Sequence, residues 1–286
     1  MLRGGVCVLA GSLRKLGAAA YICPTVTSTP AHWPRTIDVW LAFPQHIRDK
    51  RLLSEYEQIL SADERRRMLQ YRFERDQHRY LVTRALVRIV LSRYARVAPA
   101  DWVFQASRYG RPQICDAASI AATLSFNVSH THGLILLAVT AGEAIGVDVE
   151  NCDGQRRLPQ SPEYFLAEQE ASALRAVPLA ARNRRFLEYW TLKEAYVKAR
   201  GIGLSLGVDR FHFSFTDETR VILWTHEQLE DDPSRWRFWQ FRPTPEHCAA
   251  LCVERSTSQM PQLTATEIVP LRHERLVALT VTRTSA

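Results

Sequence analysis

GVDVE, at residues 146–150, alternates apolar and acidic side chains, which is the pattern of a half-buried β-strand. Because successive side chains of a strand point to opposite faces, Asp148 and Glu150 are expected on one face, about 6–7 Å apart. An acidic pair of this kind, seen alone, most often lies on the solvated face of a sheet. A second stretch, WTLKEAYVK at 190–198, gives the pair a chemical context.

WTLKEAYVK is rich in Leu, Glu, Ala and Lys, which predicts a helix. Trp190, Glu194 and Lys198 recur at every fourth position and line one stripe of it. Magnesium prefers a few carboxylates, several waters and substrate phosphates. Asp148, Glu150 and Glu194 are therefore candidate magnesium ligands, with Lys198 facing the same phosphates. The alternative is an ordinary exposed ion pair between Glu194 and Lys198, with Trp190 as a core residue.

The composition of the 286 residues, 46% hydrophobic and 23% charged, is that of a globular protein. The longest apolar runs, such as LILLAV at 134–139, are too short to span a membrane. The net charge of +7 favours acidic partners, namely nucleotides, nucleic acid or an acidic protein. The 6 cysteines form no CxxC pair, which predicts a reduced, cytoplasmic protein.

Strand and helix patterns follow one another along the chain. Ser61 and Glu64 form a capping box that opens an Arg-rich helical stretch reaching about Tyr94. GLILLAV at 133–139 and IGVDVE at 145–150 predict a hairpin, and the tail after Ser256 is less regular. The other predicted strands are 37–43, 103–107, 124–129, 210–215, 236–241 and 249–254, and the other predicted helices are 161–175 and 182–200.

The strands of Asp38 and Asp148, and the helix starts at Ser61 and Ser161, recur about 100–110 residues apart, which suggests a duplication. The predicted fold is α+β, with two similar halves of helices packed on small, mainly antiparallel sheets. The predicted division is an extension at 1–36, an N-terminal half at 37–144 and a C-terminal half at 145–286. The extension is interpreted as poorly structured or, alternatively, as a transit peptide.

Several basic residues are candidates for binding phosphate. Arg65, Arg66 and Arg67 lie on one predicted helix, and Arg79 and Arg84 lie on the next, although a solvated basic face gives the same pattern. YGRP at 109–112 would hold Arg111 on a stiff turn, and arginine suits bidentate phosphate recognition. FNVSH at 126–130 ends a strand with a hydroxyl and an imidazole. His130 also fits a structural histidine, and His130-x-His132 lacks a third ligand of convincing spacing for zinc.

Taken in order, SADERRR, YGRP, FNVSH, GVDVE and FLEYWTLKEAYVKARGIGLSL resemble the 4′-phosphopantetheinyl transferases. They are similar to the larger two-half class, which activates peptide, polyketide and related synthases, over roughly residues 37–255. The resemblance implies two pseudo-symmetric α+β halves with coenzyme A bound and the active site formed at their seam. It also implies that a serine of an apo carrier protein attacks the β-phosphate of coenzyme A and that 3′,5′-ADP leaves.

The resemblance implies a role for each candidate residue. Magnesium, or manganese, would be held on the pyrophosphate by Asp148, Glu150 and Glu194, and Lys198 would bind that pyrophosphate and stabilise the leaving group. Glu194 would take the serine proton, directly or through a metal-bound water. The residues implied in nucleotide binding are Ser129, His130 (on the 3′-phosphate), Arg65, Arg67, Arg79, Arg111 and, near the adenine, Tyr80. Glu64 departs from the pattern, since relatives can carry a basic residue there, and Lys193 is interpreted as a structural or weak phosphate residue.

The carrier is expected to dock near 151–162 and the following helix, where Tyr164, Phe165 and Leu166 would form an apolar patch. A monomer is expected, without membrane or nucleic-acid binding, because both halves of the site belong to one chain. Two alternatives stay open at this point. One is a catalytically silent coenzyme A binder of the same fold, and the other is a nucleic-acid-binding module built on the arginines of 61–100.

Overall fold

The computed structural model describes residues 36–106, 112–115, 123–153, 161–255 and 260–285. The α-helices in these ranges are α1 Lys50–Ile59, α2 Ala62–Leu69, α3 Glu74–Leu91, α4 Glu168–Ala176 and α5 Leu179–Arg200. The β-strands are β1 Thr36–Ala42, β2 Phe104–Ala106, β3 Pro112–Ile114, β4 Leu124–Thr131, β5 Leu134–Ala141, β6 Ile145–Asn151, β7 Phe211–Phe215, β8 Val221–Thr225, β9 Trp236–Arg242, β10 His247–Glu254, β11 Gln262–Val269, β12 His273–Leu276 and β13 Thr280–Thr284. None of these helices combines the length and the apolar character that a membrane crossing requires.

The first sheet has five strands in the order β12-β11-β1-β5-β4. Its central strand β1 confirms the strand predicted at 37–43, and it pairs antiparallel with β5 and parallel with β11. The side chains of β1 alternate between two cores. Trp40 packs with residues of α1, α2 and α3, whereas Val39 and Leu41 point to the opposite face. Helices α1–α3 therefore cover one face of this sheet.

The second sheet has four antiparallel strands in the order β13-β9-β10-β6. On β10, Cys248, Ala250 and Cys252 face a core formed with α4 and α5, whereas Leu251 and Val253 face the opposite side. The small β2–β3 and β7–β8 ribbons complete the described strands.

A third core lies between the two sheets. Val39 and Leu136 of the first sheet pack there with Val147 and Leu251 of the second. The molecule thus has four layers, in the order helices, sheet, sheet, helices. This arrangement confirms the predicted α+β fold of two similar halves, each a mainly antiparallel sheet covered by helices.

The predicted hairpin of β5 with β6 is wrong. Both edges of β5 are already used, by β1 on one side and β4 on the other. A strand with two neighbours offers no edge to a third, so the chain turns at 142–144 and enters the second sheet, where β6 pairs with β10. The hairpin in this region is β4–β5, with Gly133 in its turn at φ 82°.

The tail after Ser256 is more regular than predicted. Strands β11 and β12 join the first sheet, and β13 joins the second beside β9. The predicted division at 144/145 stays a prediction, and residues 1–35 of the predicted extension lie outside the described residues.

The helical stretch predicted from Ser61 to about Tyr94 forms two helices, α2 and α3. The capping box at its start is confirmed. Ser61 Oγ accepts a hydrogen bond from the Glu64 amide (3.2 Å), and a Glu64 carboxylate oxygen accepts one from the Ser61 amide (2.9 Å).

Candidate active site at the seam of the two sheets

Strand β6 presents its acidic residues to helix α5. Val147 and Val149 enter the core between the sheets, so the alternating positions Gly146, Asp148 and Glu150 face the opposite way, toward α5. A Cβ at Gly146 would lie 2.0 Å from the Ala195 carbonyl oxygen and 2.5 Å from the Ala199 amide nitrogen. Only glycine permits so close an approach, and this packing brings Lys198 and Asp148 into contact.

Lys198 joins three groups at this site. Its Nζ lies 2.6 Å from Asp148 Oδ1, 3.2 Å from Ser129 Oγ and 3.2 Å from the Val147 carbonyl oxygen. Ser129 Oγ in turn donates to Asp148 Oδ1 over 2.8 Å. The structure therefore brings together the predicted residues Ser129, Asp148 and Lys198, which come from β4, β6 and α5.

Asp148 is 5% exposed, and its two carboxylate oxygens differ. Oδ1 accepts from Lys198 and Ser129, whereas Oδ2 is buried and has no hydrogen-bond partner among the described residues. A buried carboxylate oxygen without a partner is costly, and a hard divalent cation is one species that would satisfy it. The chemistry of this residue fits the predicted magnesium ligand.

The other two predicted metal ligands are Glu150, on β6, and Glu194, on α5. Glu150 is 8% exposed and lies within 3.5 Å of the Thr131 hydroxyl, which can donate to it. Glu194 is half-buried on α5, one turn before Lys198. In the described part of the chain, no three His, Cys, Asp or Glu side chains form a group that could hold a metal ion. The joint ligand set of Asp148, Glu150 and Glu194 therefore stays a prediction.

β4 and β6 are edge strands of different sheets, and they meet along the seam through side chains. Asn127 Oδ1 accepts from the Val147 amide (2.9 Å), and Thr131 Oγ1 accepts from the Asn151 amide (3.2 Å). Together with Ser129, these are alternating residues of one strand. We define the seam as these contacts of Asn127, Ser129 and Thr131 with β6. Asn127 and Thr131 are not among the predicted site residues, although the alternation of polar residues in FNVSHT carries the signal.

His130 lies in a positively charged environment. Loss of hydration lowers the pKa of His130 below its usual value, and the nearby charges of Arg79 and Lys198 lower it further. The Asp148 carboxylate opposes this effect. The charges of Arg79 and Lys198 thus disfavour the imidazolium form of His130, and an anionic phosphate bound beside the ring would favour it.

The predicted arginines differ in their surroundings. Arg65 and Arg67 are exposed on α2, and the charge of Arg67 acts on the nearby Tyr80 hydroxyl. Arg79 pairs with Asp76 over 2.9 Å and lies close enough to influence His130. Arg111 lies outside the described residues. Of these four arginines, the structure therefore brings Arg79 toward the seam, and the roles of the others stay predictions.

Lys193, which points away from the stripe of Glu194 and Lys198, has structural partners. So does Glu64, which departs from the family pattern. Lys193 is 1% exposed, pairs with Glu170 over 2.8 Å and donates to the Val208 and Phe211 carbonyl oxygens. This contact set confirms the structural interpretation of Lys193. Glu64 is likewise buried, and it binds Arg84 and Arg88. An acid at this position neutralises the buried Arg88 and the largely buried Arg84.

The predicted apolar docking patch needs one correction. Leu166 is 4% exposed and packs in the core of α4 and α5, so it cannot present a surface to a partner. Tyr164 and Phe165 are exposed, and the Phe165 ring packs edge-on against Trp190 at 5.6 Å. The patch therefore consists of Tyr164 and Phe165, supported by Trp190.

Comparison with known proteins identifies two family matches. Residues 144–252 match the 4′-phosphopantetheinyl transferase superfamily, and residues 49–142 match the N-terminal part of 4′-phosphopantetheinyl transferase. A phosphopantetheinyl transferase of Thraustochytrium sp. is 31% identical over 206 residues, which cover 68% of this chain and 70% of that protein. The 4′-phosphopantetheinyl transferase Sfp of Bacillus subtilis is 28% identical over 197 residues, covering 68% and 82% respectively. The L-aminoadipate-semialdehyde dehydrogenase-phosphopantetheinyl transferase of Xenopus laevis is 26% identical over 219 residues, covering 70% and 71%.

Proposed function

Because this chain belongs to the 4′-phosphopantetheinyl transferase superfamily, we propose that the seam between its two sheets binds the phosphates of coenzyme A and carries out the transfer. The enzyme transfers the 4′-phosphopantetheine arm of coenzyme A to a serine of a carrier protein. The observation that carries the proposal for the site is the convergence of Lys198 and Ser129 on Asp148, whose second oxygen is buried without a partner.

The bond changes define what the site must do. The carrier serine oxygen forms a bond to the β-phosphorus of coenzyme A, and the bond from that phosphorus to the bridging oxygen breaks. The serine loses its proton, and the bridging oxygen leaves with the α-phosphate as 3′,5′-ADP. Negative charge therefore develops on the leaving phosphate, and catalysis depends mainly on positioning the reactants and neutralising this charge.

Lys198 is proposed to supply one of these charges. Its ammonium is held at the seam by Asp148 and Ser129, so it is oriented before a phosphate arrives. A positioned cation costs little reorganisation when charge develops on the leaving group. Glu194, one turn before Lys198 on α5, is proposed as the carboxylate that accepts the serine proton.

Asp148, Glu150 and Glu194 are the residues proposed to hold a magnesium or manganese ion. Such an ion, when bound, supplies positive charge to the pyrophosphate oxygens. The proposal is supported by the unpartnered Asp148 Oδ2 and by the orientation of Glu150 on the same face of β6. Ser129, His130 and Arg79 are proposed to bind the nucleotide phosphates, with Arg65, Arg67 and Arg111 as further contacts from the first half.

The carrier is proposed to dock against Tyr164 and Phe165, which follow β6 in the chain and rest on α5 through Trp190. A monomer is proposed because both sides of the seam come from one chain. Cys115, Cys152, Cys248 and Cys252 are free thiols, which supports a reducing, cytoplasmic location.

The function is tested by incubating the protein with coenzyme A, magnesium and a broad panel of apo carriers, followed by mass spectrometry of the carriers. We expect a phosphopantetheine mass gain on at least one carrier. Glu194→Gln should abolish this gain while the protein stays folded, and Glu57→Gln, at an exposed position of α1, is the matched control. Binding of coenzyme A without transfer to any carrier would favour a silent binder. Salt-sensitive binding of RNA or DNA in its place would favour the nucleic-acid module.

A further inference from the structure

The tip of the β4–β5 hairpin is held from the other half of the chain by a buried histidine. His247, the first residue of β10, is 3% exposed. Its Nε2 lies 2.9 Å from the His132 carbonyl oxygen, and its Nδ1 lies 2.7 Å from Thr244 Oγ1. A carbonyl oxygen can only accept, so Nε2 carries a proton, and in the neutral ring Nδ1 accepts from the Thr244 hydroxyl. The Thr244 hydroxyl itself accepts a hydrogen bond from the Glu246 amide (3.2 Å). The three contacts form one chain of hydrogen bonds from the Glu246 amide to the His132 carbonyl.

The turn that His247 holds is tight and close to the site. Thr131 pairs with Leu134, so His132 and Gly133 alone form the turn, and Gly133 adopts φ 82°. A Cβ on Gly133 would lie 3.8 Å from the His247 ring, so the ring packs directly against the turn backbone. Ser129, His130 and Thr131 are the last three residues before this turn.

The hairpin tip depends on this contact because, among the described residues, β4 and β6 are not joined by a ladder of backbone hydrogen bonds. Within the described residues, β4 and β6 belong to different sheets and meet through the side chains of Asn127, Ser129 and Thr131. Side-chain contacts at an edge restrict register less strongly than a backbone ladder does. His247, on β10, pairs with Asn151 at the end of β6. Its contact with His132 therefore fixes the hairpin tip relative to the end of β6.

We propose that His247 is a positioning residue for the nucleotide site. From the second half of the chain it holds the His132 carbonyl, and through this carbonyl it keeps Ser129, His130 and Thr131 in register with Asp148 and Glu150. The inference rests on the proposed function, because it takes Ser129 and His130 as contacts of the nucleotide phosphates.

The test measures the affinity of the full chain for 3′,5′-ADP by calorimetry, and the KM values for coenzyme A and for an apo carrier. His247→Ala should weaken 3′,5′-ADP binding and raise the KM for coenzyme A by about tenfold, the size expected when one hydrogen bond that orders a site is lost. The KM for the carrier should stay unchanged. His247→Gln should recover most of the affinity, because its amide can donate to the His132 carbonyl and accept from Thr244.

Thr244→Val removes the hydroxyl that orients the ring, and it should weaken binding in the same direction but less. If the two residues act as one chain, Thr244→Val should have no further effect in the His247→Ala background. Leu223→Ala, in the core beside β7 and remote from the hairpin, controls for lost stability. It should lower the melting temperature while leaving the affinity for 3′,5′-ADP unchanged.

Wild-type affinity in His247→Ala would overturn the inference, as would an equal loss of affinity in Leu223→Ala or full additivity with Thr244→Val. If His247→Ala fails to fold, the same comparison is made with Thr244→Val and His247→Gln, and a normal affinity in Thr244→Val then counts against the inference. None of these results would contradict transfer by the wild-type protein. Loss of transfer and of 3′,5′-ADP binding in the wild type would overturn the proposed function itself.

Discussion

Lys198 Nζ lies 2.6 Å from Asp148 Oδ1, and this contact places the proposed catalytic cation on a proposed metal ligand. The other oxygen, Oδ2, is buried and unpartnered among the described residues. One carboxylate is thus shared between an internal ammonium and a position suited to a second cation. Two positive charges at one carboxylate repel each other, which has a measurable consequence.

Replacing Lys198 by Gln should separate metal binding from catalysis. Without the ammonium, Asp148 is more available to a metal ion, so we expect Mn²⁺ to bind about tenfold more tightly in the absence of nucleotide. Transfer should fall by about 100-fold or more, because charge on the leaving phosphate is no longer neutralised. Electron paramagnetic resonance measures free Mn²⁺, and Lys50→Gln, at an exposed position of α1, is the control. Unchanged or weaker Mn²⁺ binding would show that Lys198 does not compete for Asp148.

Nucleotide binding should take up a proton at His130. The pKa of His130 is lowered in the free protein by loss of hydration and by Arg79 and Lys198, and an adjacent 3′-phosphate would raise it. Affinity for 3′,5′-ADP should therefore decrease as the pH rises from the free-state to the bound-state pKa. Calorimetry in buffers of different ionisation enthalpy measures the proton uptake. ADP, which lacks the 3′-phosphate, and His130→Gln should both show no such uptake; equal uptake with either one would remove the assigned role.

Glu64 should make the first half sensitive to acid. Burial raises its pKa, but Arg84, the Ser61 amide and Arg88 lower it more, so the folded-state pKa lies below the unfolded one. The resulting stability is fully present above the unfolded pKa, about 4.3, and is lost as the pH falls through the folded value.

Glu64→Gln tests this expectation. It should reduce the free energy of unfolding by about 3–5 kcal/mol at pH 7, because the buried Arg88 and the largely buried Arg84 lose their counterion. The difference from wild type should shrink toward pH 3, as urea denaturation at several pH values would show. Asp63→Asn, which breaks an exposed pair with Arg66, should cost about 0–1 kcal/mol. A pH-independent difference for Glu64→Gln would contradict the assigned linkage.

Phe165→Ala should weaken binding of the carrier protein without affecting binding of the nucleotide. Phe165 is 39% exposed on Trp190, and an aromatic anchor of an interface is typically worth about 1–2 kcal/mol, so the KM for the carrier should rise roughly tenfold. The KM for coenzyme A should stay constant. Leu276→Ala, which removes an apolar side chain that is 80% exposed on β12 of the first sheet, is the control. Leu166→Ala should instead destabilise the fold by about 2–5 kcal/mol, because Leu166 is a core residue.

Local patterns in the sequence predict much of the site. The alternation in GVDVE correctly places Asp148 and Glu150 on one face, and the capping box correctly starts a helix at Ser61. The helical spacing places Lys198 one turn beyond Glu194, where it meets Asp148. These successes have a common cause, since each depends on the geometry of a single strand or helix.

Local sequence patterns do not predict which strands pair with each other. Nothing near residue 145 indicates that β6 leaves the sheet of β5, because that choice depends on β1 and β4 having occupied both edges of β5. The burial of Leu166 and the contact of His247 with His132 are equally non-local. A residue's neighbours across sheets follow from the whole topology, which no short pattern encodes.

The parallel pairing of β1 with β11 places Thr36 beside Gln262, although more than two hundred positions separate them along the chain. During synthesis β1 therefore lacks one of its two neighbours until the residues of β11 have emerged. A fragment ending near residue 144 would expose an unpaired strand edge in the middle of its sheet, and such edges recruit other chains. The two halves share one architecture, yet the sheet of the first is completed by β11 and β12, which follow the strands of the second along the chain.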